Sequence, residues 1–268
     1  MSDQATLERA ATPPNLHIAR VETVQHYTER LFGFTCERPA ALRFRSGEFV
    51  MIGLLADGRP LLRAYSIASP AWDDALAFYS IKAPNGPLTS RLQKIVPGDD
   101  ILIGRKPTGT LVLDALLPGR RLFLISTGTG FAPFASLIRE PETYARYDEV
   151  ILTHTCRMAR ELVYSGDVVG AAIADPLVGD EARKKLRYLT TLTREFHELE
   201  GRITTLLGNG AVFGALGAPS FDPASDRIMV CGSAPVLSDM KALALSTGFS
   251  EGSNHEPGSF VVERAFAA

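Results

Sequence analysis

The chain changes its grammar at Pro118-Gly119, and that change limits the fold more than any single motif does. Before it, short β-type runs follow one another: Phe49 to Leu55, Arg63 to Ser69, Leu76 to Ile81, Ile101 to Ile103 and Leu111 to Leu113. Turn residues at Gly47, Asp57-Gly58, Pro70, Pro97-Gly98 and Pro107 to Gly109 separate them. Short strands cut in this way suit an antiparallel barrel or sandwich. One helical interruption is expected after Asn85-Gly86, with Pro87 at its first position. After Pro118-Gly119, buried-type runs at Leu122 to Ser126, Val150 to Thr155, Leu186 to Leu192, Ile228 to Cys231 and Phe260 to Val262 alternate with helical stretches. That is the pattern of a doubly wound parallel sheet. The expected architecture is therefore a two-domain β + α/β chain. An antiparallel β-barrel domain spans residues 1–118 and an α/β domain spans 119–268, with the boundary between Leu117 and Arg121.

Composition narrows the function classes. Of 268 residues, 46% are hydrophobic and 22% charged, as in a soluble globular protein. A net charge of −2 argues against nucleic acid as the main partner. Cys36, Cys156 and Cys231 are too far apart for a disulfide framework or a zinc or iron–sulfur signature, so no metal is expected and a reducing, cytoplasmic setting is. Met1 to Asn15 has no apolar core and does not read as a signal peptide. No window approaches the ~18 uninterrupted apolar residues of a membrane span, so no membrane insertion is expected.

Several constellations carry chemistry. Arg63-Ala64-Tyr65-Ser66 offers a cation, a ring face and hydroxyls within a few residues, which an anionic heteroaromatic cofactor requires. Strict pleating puts Arg63 and Tyr65 on one face and Ala64 and Ser66 on the other. A half-buried strand with a surface Arg accounts for the same residues. Thr127-Gly128-Thr129-Gly130 follows a strand and precedes a helix, where backbone N–H groups can meet a pyrophosphate. Pro133 stands where the dinucleotide fingerprint has its third glycine; an ordinary β–α turn is the alternative. An NAD-preferring site often has an acid about 20 residues on, whereas this chain has His154-Thr155-Cys156-Arg157. Arg157, Thr193-Arg194 and Arg202 lie near strand exits and suit a 2′-phosphate, although each alone could be a solvated charge. Two charge-assisted bonds of ~1.5–3 kcal/mol would favour NADP over NAD by roughly two decades. Cys231-Gly232-Ser233 closes a strand and opens a helix, a position that can lower a thiol pKa. A small polarizable group beside a nicotinamide and a buried structural Cys are the other readings.

Taken together, Arg63-x-Tyr65-Ser66, Gly86-Pro87-Leu88-Thr89-Ser90, the Gly128 loop, Cys231-Gly232-Ser233 and Glu263 resemble the ferredoxin–NADP+ reductase family. The strings RAYSIASPAW, FYSIK, GPLTSRL and FVVERAF are similar to its bacterial branch. The resemblance implies FAD and NADP(H) as cofactors and a ferredoxin or flavodoxin partner, in a monomeric enzyme. It implies that Tyr65 stacks on the flavin, that Arg63 and the Leu88 to Ser90 backbone face its pyrophosphate, and that Ser66 lies near its hydride-exchanging nitrogen. Ala64, Tyr79, Ile81, Lys82 and Gly86 to Ser90 would complete the FAD site. Thr127 to Gly130 and Cys231-Gly232 would hold the NADP diphosphate and nicotinamide, and Arg157, Thr193, Arg194 and Arg202 the adenosine phosphate. Glu263, with Ser66 and Cys231, would position the nicotinamide. Plant-type members end in a Tyr on the flavin; here Ala265 would lie over it, with Phe266 packing on FAD elsewhere. A basic rim for an acidic carrier would draw on Arg43, Arg45, Lys82, Arg91, Lys94 and Lys106. The rival readings are a stand-alone flavin reductase, an oxygenase-type reductase component and a non-enzymatic flavin-binding subunit.

Overall fold

A computed structural model describes residues 15–265; Phe266 and its expected contact with FAD lie outside the described residues. The first half holds β1 (Leu16–His26), β2 (Leu31–Glu37), β3 (Phe49–Ala56), β4 (Arg59–Ser66), β5 (Ala75–Ile81), a short helix α1 (Thr89–Leu92) and β6 (Asp100–Gly104). Its strands form one antiparallel sheet in the order β4-β3-β6-β1-β2-β5. In β3, Val50, Ile52 and Leu54 are buried while Met51 and Leu55 are exposed, the period-two signature of a strand with one face on a core. The rolled sheet stays open between β4 and β5, which end the strand order.

Four local readings are corrected by the structure. Leu111 to Leu113 form no strand: a 3-10 turn starts at Leu113, and all three side chains are buried, so the run reports enclosure rather than pleating. Strand β4 starts earlier and ends at Ser66, four residues before Pro70. Helix α1 begins at Thr89, so Pro87 sits in the preceding turn. Strands β1 and β2 were not among the expected runs, because His17, Arg20, Glu22, Gln25 and Gly33 dilute their apolar pattern.

The second half holds β7 (Arg121–Thr127), α2 (Ala132–Leu137), α3 (Pro141–Arg146), β8 (Glu149–Cys156), α4 (Val163–Ala174), α5 (Gly179–Lys185), β9 (Leu186–Leu192), α6 (Ile203–Gly208), α7 (Ala211–Leu216), β10 (Asp226–Gly232), α8 (Ala234–Thr247) and β11 (Phe260–Arg264). The strands run parallel in the order β11-β10-β7-β8-β9. Leu122 to Ile125 and Val150 to Leu152 are wholly buried, as expected of strands covered on both faces. The order reverses direction between β7 and β10, so a crevice opens at their carboxyl ends.

The halves share a core. Leu31, Ala68 and Tyr79 from the first pack with Leu122, Phe131 and Phe134 from the second. Polar latches reinforce it: Gly47 N–H donates to Ser136 Oγ (2.9 Å), Ser46 Oγ to Glu140 Oε2 (2.7 Å) and Trp72 Nε1 to the Arg139 carbonyl (3.0 Å). At the opposite end of the parallel sheet, Arg121 grips Asp226 with two bonds of 2.6 Å. The Asp226 side chain is fully buried. Asp226→Ala should lower stability by ~3–5 kcal/mol, because it strands a largely buried guanidinium. A urea titration should show a lower midpoint with an unchanged slope; an unchanged midpoint contradicts the assigned role.

Candidate functional site

Two clefts meet along one wall. The narrower, about 230 Å³, opens where β4 and β5 fail to pair, and is lined by Arg63, Ala64, Tyr65, Ser66, Tyr79 and Ile81. The turn after β5 contributes Gly86, Pro87, Leu88 and Thr89, and the chain's C-terminal segment contributes Ala265. Both faces of β4 thus reach one cleft. An edge strand leaves one side unpaired, and Ser66 is its last residue, where the chain turns into the buried Ile67 to Pro70 segment. The Tyr65 hydroxyl spans the gap to Ser80 Oγ at 3.1 Å. Burial raises its pKa, so the phenol stays neutral.

The turn around Gly86 is tight: Gly86 N–H donates to the Ala83 carbonyl at 3.0 Å and Thr89 Oγ1 to the same oxygen at 3.2 Å. A Cβ on Gly86 would stand 2.1 Å from Thr89 Oγ1. Ser90 behaves differently from its neighbours, because its N–H donates to the Gly86 carbonyl at 3.0 Å and is engaged within the turn. Leu88 and Thr89 are the members of the expected backbone set that line the cleft.

The wider cleft, about 590 Å³, lies at the carboxyl ends of the parallel strands. Thr127, Gly128 and Thr129 line it, as do Arg157, Thr193 and Arg202. Ile81 and Lys82 enter it from the first half. Ile81, Ala83 and Thr129 line both clefts and form the shared wall. Gly130 and Gly232 serve close packing instead: a Cβ on Gly130 would stand 2.3 Å from the Cys231 carbonyl oxygen, and one on Gly232 would stand 2.5 Å from Thr127 Oγ1. Arg194 is exposed and lies off the cleft; its N–H donates to the Arg157 carbonyl at 3.1 Å.

Cys231 and Glu263 are register partners on β10 and β11. The Cys231 side chain is fully buried, and burial, with Glu263 beside it, drives the thiol pKa well up. This corrects the lowered thiol pKa that a helix start allows: the helix begins at Ala234, and the sulfur sits in the core shared by the halves. Glu263 Oε2 accepts the Thr110 N–H at 2.9 Å, and burial nevertheless pushes its carboxyl up to about 7. Ala265 N–H donates to the Gly232 carbonyl at 3.0 Å, which anchors this segment to the end of β10 while Ala265 lines the narrow cleft.

Part of the expected basic rim is occupied. Arg45 pairs with Glu48 and Asp114, Arg91 lies 4.0 Å from Asp57, and Lys82 Nζ donates to the Thr28 carbonyl. Arg43, Lys94 and Lys106 are exposed. Sequence reasoning missed Arg30, Glu161 and Asp239, all of which line the wide cleft. Glu161 Oε2 accepts the Arg157 N–H at 2.8 Å and so sets the course of that loop. Nothing in the local pattern marks Arg30, which reaches the cleft from the β1–β2 turn. Among the described residues, no group of three or more His, Cys, Asp or Glu side chains is placed to hold a metal ion.

The donor set suits a planar heteroaromatic phosphate ester in the narrow cleft and a second nucleotide in the wide one. Two buried oxygens, Tyr79 Oη and Thr129 Oγ1, lack a partner among the described residues, and both residues line the clefts. Arg139 Nε and Thr153 Oγ1, away from both clefts, share this condition, so these atoms mark tight enclosure and not a ligand contact.

Comparison with known proteins agrees. The chain is 57% identical over 248 residues to a flavodoxin/ferredoxin–NADP reductase of Rhodobacter capsulatus, covering 92% of each chain. It is 48% identical over 253 residues to a ferredoxin–NADP reductase of Pseudomonas aeruginosa, covering 94% of this chain and 98% of that one. A solved ferredoxin NADP+ reductase of Neisseria gonorrhoeae with bound FAD and NADP superposes with a TM-score of 0.85 at 28% identity, over 95% of this chain and all of that one. No family model matches. The rolled antiparallel sheet beside a parallel nucleotide-type sheet is the architecture of the ferredoxin–NADP+ reductase class. The chain belongs to the ferredoxin/flavodoxin–NADP reductase family.

Two outcomes follow from this geometry. Gly130→Ala should cost ~2–3 kcal/mol, because its Cβ meets backbone that cannot move alone. Gly128→Ala should cost only ~1 kcal/mol, the strain of a left-handed backbone in open space, since Gly128 has φ +53° and nothing within 4 Å of an added Cβ. Equal drops in Tm would contradict the packing role of Gly130. Glu263 should also leave a pH signature. A carboxyl raised to about 7 holds its proton more tightly folded than unfolded, so its stabilising contribution is full below 4.5 and is lost as pH rises through about 7. Across that window the wild type should lose stability relative to Glu263→Gln; parallel curves would contradict the shift.

Proposed function

We propose that the narrow cleft holds FAD, that the wide cleft holds NADP(H), and that electrons pass on to ferredoxin or flavodoxin. As a family member the protein is an FAD-dependent NADPH oxidoreductase. The observation that carries the site assignment is the wall of Ile81, Ala83 and Thr129 common to both clefts. It allows two bound rings to come into contact without a barrier of protein between them.

Bound FAD supplies the chemistry that converts a hydride into electrons delivered one at a time. The protein's part is orientation. Tyr65 offers a ring face at the open edge of the sheet, while Arg63 and the Leu88–Thr89 turn face the FAD pyrophosphate. Ala265 leaves room over the flavin where a bulky aromatic would have to move aside. Thr127 to Thr129 receive the NADP diphosphate, and Arg157 and Arg202, flanked by Thr193, receive the 2′-phosphate. Glu263, largely protonated below about 7, presents an uncharged carboxyl beside Cys231 near the nicotinamide position. Removing charge there avoids a cost of desolvation when the nicotinamide docks. We place the division between the domains at 118/119, between β6, which ends at Gly104, and β7, which starts at Arg121. We further propose a monomeric, cytoplasmic enzyme; Cys36, Cys156 and Cys231 are all free thiols, which suits a reducing compartment.

Steady-state kinetics with NADPH and NADH, against ferredoxin, flavodoxin and free flavin, tests this reading. NADPH should be preferred, and a protein carrier should be reduced much faster than free flavin. Arg202→Ala should lower the NADPH-over-NADH ratio of kcat/KM about tenfold, the loss of one charge-assisted phosphate contact. An unchanged ratio removes Arg202 from the site, and equal rates with free flavin would favour a stand-alone flavin reductase.

A further inference from the structure

One fully buried imidazole lies beneath the glycine-rich loop. His154, third from the end of β8, has no exposed surface and packs its ring 4.9 Å from that of Phe131. Its Nε2 is 2.9 Å from the Gly128 carbonyl oxygen. A carbonyl oxygen only accepts, so Nε2 carries the proton. Burial pushes the ring's pKa down to about 4, so Nδ1 is bare and must accept. Ser165 Oγ stands 2.7 Å from it, and the Tyr188 hydroxyl is 2.7 Å from Ser165 Oγ. The donors then run in one direction, from Tyr188 to Ser165, to His154, to Gly128. The Leu162 carbonyl at 2.9 Å and the Tyr188 oxygen are the other acceptors near the Ser165 hydroxyl, and the bare Nδ1 takes its proton in preference to both. The Cys156 sulfur lies 3.3 Å from Nε2, a second neighbour of the same ring nitrogen beneath the loop.

This network has a consequence on the cleft side. The chain has no cis peptide among the described residues, so the Thr129 N–H points opposite to the Gly128 carbonyl. Holding that carbonyl down on His154 turns the Thr129 N–H away from the core, to the side where Gly128 and Thr129 line the wide cleft. Gly128, at φ +53°, opens the 3-10 turn Gly128–Phe131, and its carbonyl is held from beneath by His154.

We propose that His154 is a positioning residue for dinucleotide binding: locked as the Nε2–H tautomer by Ser165 and Tyr188, it fixes the Gly128–Thr129 peptide so that its N–H meets the diphosphate. The proposal rests on the wide cleft being the NADP site. His154 touches neither cofactor and acts only through the loop.

Isothermal titration calorimetry on the FAD-loaded enzyme separates the two ideas. It compares NADP+, which carries the diphosphate, with 2′-AMP, which lacks it. His154→Phe keeps a ring against Phe131 and removes the N–H. NADP+ affinity should fall about tenfold, equal to ~1.4 kcal/mol, while 2′-AMP affinity holds. His154→Gln should recover most of the loss, because its amide N–H can donate to Gly128. Unchanged NADP+ affinity in His154→Phe, or equal losses for both ligands, overturns the proposal. Should His154→Phe fail to fold, Ser165→Ala takes its place, with a smaller loss expected for NADP+ alone and the same overturning results. Nitrogen-15 spectra of the wild type at neutral pH should show a neutral ring protonated on Nε2; a ring protonated on Nδ1 overturns the proposal as well. A wild type that binds neither ligand refutes the cleft assignment and the proposal together. A wild type that binds both, with variants indistinguishable from it, refutes the proposal alone.

Discussion

The stacked pair Tyr79–Tyr164 is the contact on which the rest of the arrangement depends. Tyr79 comes from the last strand of the first sheet and Tyr164 from helix α4 of the second half; their rings lie 3.9 Å apart at 13°. Tyr27 meets both edge-on, and Phe131 of the glycine-rich loop meets Tyr164 edge-on. One aromatic cluster therefore touches a wall of the narrow cleft and the floor of the loop that lines the wide one. Reacting atoms must approach to within ~3–3.5 Å, and a shift of one half against the other would lose that approach. Flat rings in a shared core resist such a shift, because sliding opens voids that nothing fills.

Both clefts arise where the fold withholds a contact. The first sheet rolls up without joining β4 to β5, and the unpaired edges supply a ring face, a cation and backbone to one opening. The second sheet reverses its winding between β7 and β10, and the wide cleft lies over the carboxyl ends of its strands. The turn after β5 reaches from the first opening into the second, which is how Ile81 and Ala83 come to face both. Catalytic geometry is thus set by strand order, with loops filling in the donors.

Burial, more than neighbouring charge, governs the ionisable groups at the centre of the molecule. His154, Cys231 and Glu263 are all pushed toward their neutral forms, with desolvation as the leading cause in each. The cations that line the wide cleft are Arg30, Lys82, Arg157 and Arg202, and the three arginines are exposed. Exposed cations and buried neutral groups thus stand apart, as the proposed placement of phosphates and ring requires.

Much of this was legible in the chain itself. Periodicity set out the β half, the α/β half and the change between them, because alternation and continuous apolar runs report how many faces of a strand are covered. Glycine marked the loop at Gly128 to Gly130 and the turn at Gly86: Gly128 takes a left-handed backbone, Gly130 lets the Cys231 backbone approach, and Gly86 makes room for the Thr89 hydroxyl. Residue type marked Arg63, Tyr65 and the arginines near strand exits. Tertiary structure alone decided the rest. It left β4 unpaired on one side, so that Ser66 and Tyr65 face one cleft although pleating sends them apart. It also engaged Ser90 within its own turn and set Arg194 off the cleft. It brought Arg30 across from a distant hairpin and placed His154 beneath a loop 26 residues away. Local sequence records what each segment prefers; which edges close, which groups lose water and which carbonyl a buried ring will meet depend on pairings between segments far apart in the chain.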